Sequence, residues 1–347
     1  MNVEEILNKH KELVERKFRE YNGLVNRETA AYIVAQEMGL DVEEETTPEL
    51  KVSHLAPGMR RVRLSGKVLA LYPIQEYTRK DGSTAQAQRL ILRDESDRVE
   101  LTLWEPPEEE LKPGDLLKIS GGYVKDFEGG LELNVSGRGS VEVLGFQPLH
   151  LGEALDGADG LTVRAPILRV HPDKLFQSKR GGVYRASSLT LFQNGLKARV
   201  IFWEEEAERP TDLHAFQEVE LTDLQASLND SGLLELKASP ATSIAARGEV
   251  EPTQIDVMSP SEILHPELDV DLQGKVSSIA REPERIVITL VNDKAELRVM
   301  VIHQELIPSL SALQVGNNLL GKGLDVVRTS SGMLETRTTI WSEFSLQ

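Results

Sequence analysis

Two tryptophans define the chemistry this chain can offer. Trp104 and Trp203 stand 99 residues apart, each closing a run of alternating side chains: Val99, Leu101 and Leu103 precede the first, Leu196, Ala198, Val200 and Phe202 the second. Successive side chains of a strand point to opposite faces, so with those residues turned to a core both indoles point outward. Lys197, Arg199 and Ile201 share the outward face with Trp203. A flat π-surface beside fixed cations suits planar rings strung on a polyanion, because the ring face stacks while the cation meets the phosphate. Packing under a loop or closing a barrel end are the other duties of such a tryptophan, and recurrence beside basic neighbours favours stacking.

More cations and rings gather in the segment before each run. Arg164, Arg169, Lys174, Lys179, Arg180 and Arg185 are opposed only by Asp173, and Phe176 and Tyr184 are interleaved with them. The matching segment of the first repeat holds Tyr72, Tyr77, Arg79, Lys80, Arg89 and Arg93 against Glu76 and Asp81. A charge run alone is usually a solvated face; cations alternating with aromatics on a loop beside an outward tryptophan are a more specific constellation. A facing wall is expected from Tyr123, Lys125 and Phe127. Phe127 lies among Asp126, Glu128 and two glycines at a loop tip, with little core to enter. The second repeat has only Leu228 and Asn229 there.

These residues need strands to hold them, and the chain repeats the strands three times. Leu90, Leu92, Val99, Leu101, Leu103 and Trp104 match Leu189, Leu191, Ala198, Val200, Phe202 and Trp203, and then Ile288, Leu290, Leu297, Val299, Val301 and Ile302. Self-similarity at this spacing marks one small domain used in tandem. Each copy reads as a hairpin, with turns at Asp94-Glu95-Ser96-Asp97 and Gln193-Asn194-Gly195 in the first two. Gly66 and Gly274 sit where a barrel strand would bend. Last hairpins turn at Gly129-Gly130, Asp230-Ser231-Gly232 and Ser331-Gly332. Five short strands per unit of roughly 90 residues suit a Greek-key barrel of the OB type. The expected fold class is therefore all-β, three tandem OB-fold barrels with a small N-terminal α-helical hairpin. The domains expected are 1–46 for the helices and 51–145, 160–242 and 265–347 for the barrels. Val3, Ile6, Leu7, His10, Leu13, Val14, Phe18 and Tyr21 make one apolar stripe, and a second helix is expected from a cap at Asn26 to Gly39. The stripe either docks on a barrel of its own chain, the reading preferred here, or recruits a partner.

Composition narrows the function further. There is no cysteine, hence no disulfide, thiolate nucleophile or cysteine-bound zinc. No apolar run reaches membrane-spanning length and the N-terminus shows no secretory pattern, so a cytoplasmic, nucleoid-associated protein without membrane contact is expected. The net charge of −17 opposes global steering toward phosphate, but the cations are concentrated in the loops just described. The third repeat departs from the pattern: Ile302 replaces the tryptophan, its first loop has no aromatic, and Arg281, Arg285, Lys322 and Arg328 are its only candidate phosphate contacts. Seven histidines are scattered without metal-ligand spacing and no phosphate-binding Gly-Lys-Ser/Thr loop is present. The carboxylate runs Glu108-Glu109-Glu110 and Glu204-Glu205-Glu206 read as solvated connectors. Neither catalysis nor a cofactor nor a metal is expected.

The residues also carry a family resemblance. Leu55-Ala56-Pro57-Gly58-Met59, Ser65-Gly66-Lys67-Val68, Tyr77 to Gly82, Leu103-Trp104, Lys112-Pro113-Gly114-Asp115 and Gly122-Tyr123-Val124-Lys125 resemble the first OB repeat of archaeal replication protein A, and residues 23–40 resemble its N-terminal helical segment. The resemblance covers 23–145 specifically and 160–240 less so. It implies sequence-tolerant binding of single-stranded DNA in replication, repair and recombination, with bases on Trp104, Phe127 and Trp203, phosphates on the loop cations, and replication and repair proteins as partners. The cysteine-ligated zinc module of several family members has no counterpart here. Two other readings stand beside this one: an adaptor of the replication and repair machinery with weak nucleic-acid affinity, and an RNA-binding protein, since only contacts to the 2′-hydroxyl separate the two polymers.

Overall fold

The computed structural model describes residues 2–21, 25–40, 42, 48–78, 82–127, 130–177, 181–229, 231–252 and 255–347, the side chains of Phe127 and Gln177 excepted. The chain divides into two compact units, residues 1–149 and 150–347.

The first unit opens with three helices, α1 (Val3–Lys9), α2 (Lys11–Glu20) and α3 (Arg27–Glu37). The single stripe read from the sequence is two helices, because His10 leaves the helical region at φ −122°, ψ 31°. Asn26 caps α3 as expected, its side-chain oxygen accepting from the Thr29 amide at 2.8 Å. Val3, Ile6, Val14, Tyr32 and Val34 share one core with Met59, Val62 and Leu64 of the following barrel. The Tyr32 hydroxyl donates to the Arg60 carbonyl, and the Arg60 amide donates to Gln36 Oε1 at 3.0 Å. The helices thus bury their apolar faces within their own unit.

The barrel of this unit uses β1 (Glu49–Leu50), β2 (Arg60–Leu71), β3 (Gln75–Thr78), β4 (Thr84–Arg93), β5 (Arg98–Trp104), β6 (Asp115–Phe127), β7 (Gly130–Val135) and β8 (Ser140–Phe146). Its ring runs β2-β4-β5-β7-β6 and closes by pairing β6 with β2, all antiparallel except β5 with β7. Gly66 is needed for closure. A Cβ there would lie 2.8 Å from the Arg93 carbonyl oxygen, and the β2–β4 register breaks just beyond it, between Val68 and Ala70.

The second unit holds two further rings. The first comprises β9 (Leu161–Gln177), β10 (Val183–Gln193), β11 (Leu196–Trp203), β12 (Gln217–Leu228) and β13 (Leu234–Lys237), with β14 (Ile244–Glu249) added on β12. Asn194 and Gly195 both take positive φ, 52° and 80°, the conformation a two-residue hairpin with the natural strand twist requires. The last ring comprises β16 (Glu267–Arg281), β17 (Ile286–Val291), β18 (Glu296–Val301), β19 (Asn318–Arg328) and β20 (Leu334–Leu346), with β15 (Val257–Met258) parallel to β16 as β1 is to β2. All three rings join strands in the same order and close on the first strand, which is the OB topology. The inward alternation holds at Leu101, Val200, Phe202 and Val299, all fully buried. Leu196 departs from it: beside the Asn194-Gly195 turn, paired with Gln193 of β10, it is 51 % exposed. No described helix is long and apolar enough to cross a membrane.

Candidate nucleic-acid interface

On the first barrel, strand register brings the predicted rings together. Tyr77 on β3 pairs with Ala85 on β4, and Ala87 on β4 pairs with Trp104 on β5. The two alanines are almost fully buried, and their small size leaves room above the sheet for two rings. Tyr77 and Trp104 occupy that room with centroids 5.5 Å apart, tilted by 57°. The Trp104 indole donates to Asn134 Oδ1 at 2.9 Å. Asn134 on β7 is fully buried, and across the sheet it pairs with Thr102 on one side and Tyr123 on the other.

Cations flank this platform. Arg89 lies over the Tyr72 ring at 5.5 Å and reaches Glu100 at 3.4 Å; the Lys125 ammonium lies over Tyr123 at 5.2 Å. Tyr72 and Tyr77 are exposed apolar surface at this edge. The outward face of the first barrel therefore presents aromatic rings edged by cations, with exposed ion pairs too weak to withhold those cations from a phosphate.

The second barrel repeats the arrangement with different residues. Trp203 on β11 pairs with Ala186 on β10, which pairs with Lys174 on β9, and Tyr184 pairs with Phe176. Phe176 lies 5.8 Å from Trp203 and 6.0 Å from Tyr184, ring centre to ring centre. Trp203 is 39 % exposed and Tyr184 42 %. Arg185 is tied to Asp173 at 2.7 Å and Glu208 at 2.6 Å, both at the surface.

Four cations expected at this face are engaged elsewhere, and the expectation of free phosphate contact does not carry over to them. Arg169 binds Asp269 at 2.9 Å and Asp271 at 3.0 Å; Arg199, only 3 % exposed, makes a two-pronged bond to Asp325 at 2.6 and 2.7 Å. Lys197 pairs with Glu267 at 2.7 Å, and Lys174 donates to the Ile340 carbonyl at 3.2 Å. All the acceptors belong to the third barrel, which sits on the outer sheet face of the second. Trp341 completes the contact, its indole donating to the Pro172 carbonyl at 2.9 Å while Ile340 and Trp341 pack on Ala186, Phe176 and Ile201. Asp269 stands at a β-bulge with φ 53°. Its burial opposes ionisation, but His171, 3.4 Å from Oδ2, and Arg169 outweigh burial and hold the carboxyl well below the ordinary range.

Arg79, Lys80, Lys179 and Arg180 lie outside the described residues, as does the Phe127 side chain. In the third barrel Ile302 is 40 % exposed in the tryptophan's position; Arg285 pairs with Glu282 at 2.6 Å, while Arg281 and Arg328 donate to the Leu313 and Gly332 carbonyls. Sequence reasoning passed over Asn134, Asp269, Asp271, Asp325 and Trp341. The signal available was two aspartates at alternate positions of a strand, where aspartate is depleted.

Three rings of OB topology, two of them carrying outward aromatic clusters, define a tandem OB-fold protein. No family model matches the chain. It is 26 % identical over 227 residues to replication factor A of Methanothermobacter thermautotrophicus, covering 59 % of this chain and 28 % of the relative. It is 30 % identical over 90 residues to the single-stranded DNA binding protein Ssb of Saccharolobus solfataricus, covering 26 % of this chain and 60 % of that one. The chain thus spans less than a third of the first relative and three fifths of the second. Among solved structures, the second OB-fold domain of replication protein A from Methanococcus maripaludis is 33 % identical over 30 % of this chain and all of that one, with a TM-score of 0.26. Over these stretches the chain is similar to archaeal proteins named for replication and for single-stranded DNA binding.

Proposed function

We propose that this chain binds single-stranded DNA without sequence preference, in replication, repair and recombination, and that it does so by stacking rather than by catalysis. One observation carries the reading: at register-equivalent positions of two barrels, an outward tryptophan is joined by a second ring, Tyr77 at 5.5 Å from Trp104 and Phe176 at 5.8 Å from Trp203. Every base has a π-face, so stacking on such pairs tolerates any sequence. Arg89, Lys125 and Arg185 stand at the edges of the two clusters, where a backbone would pass. The loop cations Arg79, Lys80, Lys179 and Arg180 complete the electrostatic share of the site. Relatives named for replication and for single-stranded DNA binding support the same polymer.

The test is titration into labelled single-stranded DNA at two salt concentrations, with duplex DNA and RNA as competitors and tryptophan fluorescence as a second signal. Salt-sensitive binding of the single strand, a change in tryptophan emission and weak duplex competition are expected. Preferential competition by RNA would reassign the polymer; no binding to any strand would leave the adaptor reading.

A further inference from the structure

We propose that the outer sheet face of the second barrel is a second, cryptic site for single-stranded DNA, held shut by carboxylates of the third barrel that stand where phosphates would bind. The inference rests on the function proposed above and extends it. Lys197, Arg199, Ile201 and Trp203 alternate outward on β11, so the buried cations and the exposed stacking ring belong to one continuous face. Trp203 and Tyr184 are exposed at its open end, and Phe176 between them packs partly against Ile340 and Trp341. Its other end is Arg199 on Asp325, Arg169 on Asp269 and Asp271, and Lys197 on Glu267. A strand stacked on Trp203 and following this face would next meet three cations, each already holding a carboxylate.

The character of the contact favours exchange over permanence. Its apolar part is small: Ala186, Ile340 and Trp341, with Phe176 and Ile201 against them. Arg199 Nε and Ser188 Oγ are buried on this face without a hydrogen-bond partner, and such groups cost stability. Buried ion pairs give specificity of docking more than net stability, because desolvation offsets the attraction. Polar interfaces between domains of one chain ordinarily permit relative motion. β14 ends at Glu249 and β15 begins at Val257 of the same chain, so a third barrel that leaves the face stays tethered to the second. The tether keeps its carboxylates at high effective concentration, and only a strand long enough to engage Trp203 first competes with them.

The experiment uses the full chain with oligothymidylates of increasing length. Because the chain has no cysteine, a Lys197→Cys, Glu267→Cys variant can be cross-linked with a short bismaleimide to lock the two barrels together. Locked and unlocked forms should bind short strands equally, and the unlocked form should bind long strands roughly tenfold more tightly, as expected for about one further base stacked. In a second arm, Asp269→Asn with Asp271→Asn and Asp325→Asn should tighten binding of long strands and steepen the salt dependence by about 0.7 for each further phosphate neutralised. Equal binding of long strands by locked and unlocked protein overturns the proposal, and that comparison decides alone if the triple variant does not fold. A Trp104→Ala control separates the two failures: if it weakens binding while locking has no effect, the stacking function stands and the cryptic site falls.

Discussion

The Trp104 indole donates to Asn134 Oδ1 at 2.9 Å, and Asn134 itself is fully buried between Thr102 and Tyr123. An indole nitrogen only donates, so this contact fixes which way the asparagine amide points. It also fixes the plane of the ring that the proposed function places under a base. Asn134→Ala removes the acceptor without touching the stacking surface. We expect single-strand affinity to fall by about 1 kcal/mol, the net worth of a lost hydrogen bond, with a change in tryptophan emission and partial recovery in Asn134→Asp, which restores an acceptor. Unchanged affinity in Asn134→Ala would show that ring orientation is set by Tyr77 and the sheet alone.

Stacking itself is tested by removing the rings. Trp104→Ala and Trp203→Ala should each weaken binding by roughly 1–3 kcal/mol per base released. Neither indole belongs to a barrel's inward core, so the thermal midpoint should move little. A double variant that binds as tightly as the parent would refute the stacking account.

On the proposed function the loop cations would act through counterion release rather than geometry. Replacing Arg79, Lys80, Lys179 and Arg180 by alanine should flatten the slope of log K against log salt by about 0.7 for each phosphate of a single strand that is no longer neutralised. Binding at low salt should weaken more than binding at high salt, which two titrations are enough to show. An unchanged slope would place those four side chains away from the strand.

What was legible in the sequence follows from what is local. Strand alternation is a property of a few neighbours, so the inward set Leu101, Val200 and Phe202 and the outward pair Trp104 and Trp203 could be read directly, as could the three-fold repeat. Cross-strand register places Tyr77 beside Trp104 and Phe176 beside Trp203; the rings themselves are visible in the sequence, but their pairing depends on that register. The destination of Arg169, Lys197 and Arg199 was not legible. An outward cation looks the same in sequence whether it meets solvent, a phosphate or a carboxylate more than fifty residues further along the chain, as Asp325 is for Arg199. The break of the first helix at His10 was hidden for a related reason: the apolar stripe continues across it, because both helices face the same core.

Docking of the helices on the first barrel predicts a coupling of their stabilities. Tyr32→Phe removes the hydroxyl that donates to the Arg60 carbonyl and should cost about 0.5–1.5 kcal/mol. Ile6, fully buried, should cost about 2–5 kcal/mol when cut to alanine. In urea unfolding both variants should shift the transition of the whole first unit. A separate early transition of the helices alone would mean that they and the barrel do not share a cooperative core.

The contact between the second and third barrels should depend on acid, with a sign set by Asp269. Burial raises the cost of its charge, yet His171 and Arg169 more than compensate, and its carboxyl titrates well below the ordinary value in the folded protein. An unfolded aspartate titrates near about 3.9. The charged form therefore stabilises the fold fully above that value, and the contribution is lost as pH falls through the lower, folded value. Asp269→Asn should destabilise the second unit at neutral pH, where the parent has the charge and the variant does not. Below about pH 4 the difference should shrink, because keeping the parent's carboxylate ionised then competes with a protonated unfolded state. Urea unfolding of parent and variant at neutral and acidic pH measures this directly, and a difference that stays constant with pH would assign the loss to packing rather than to charge.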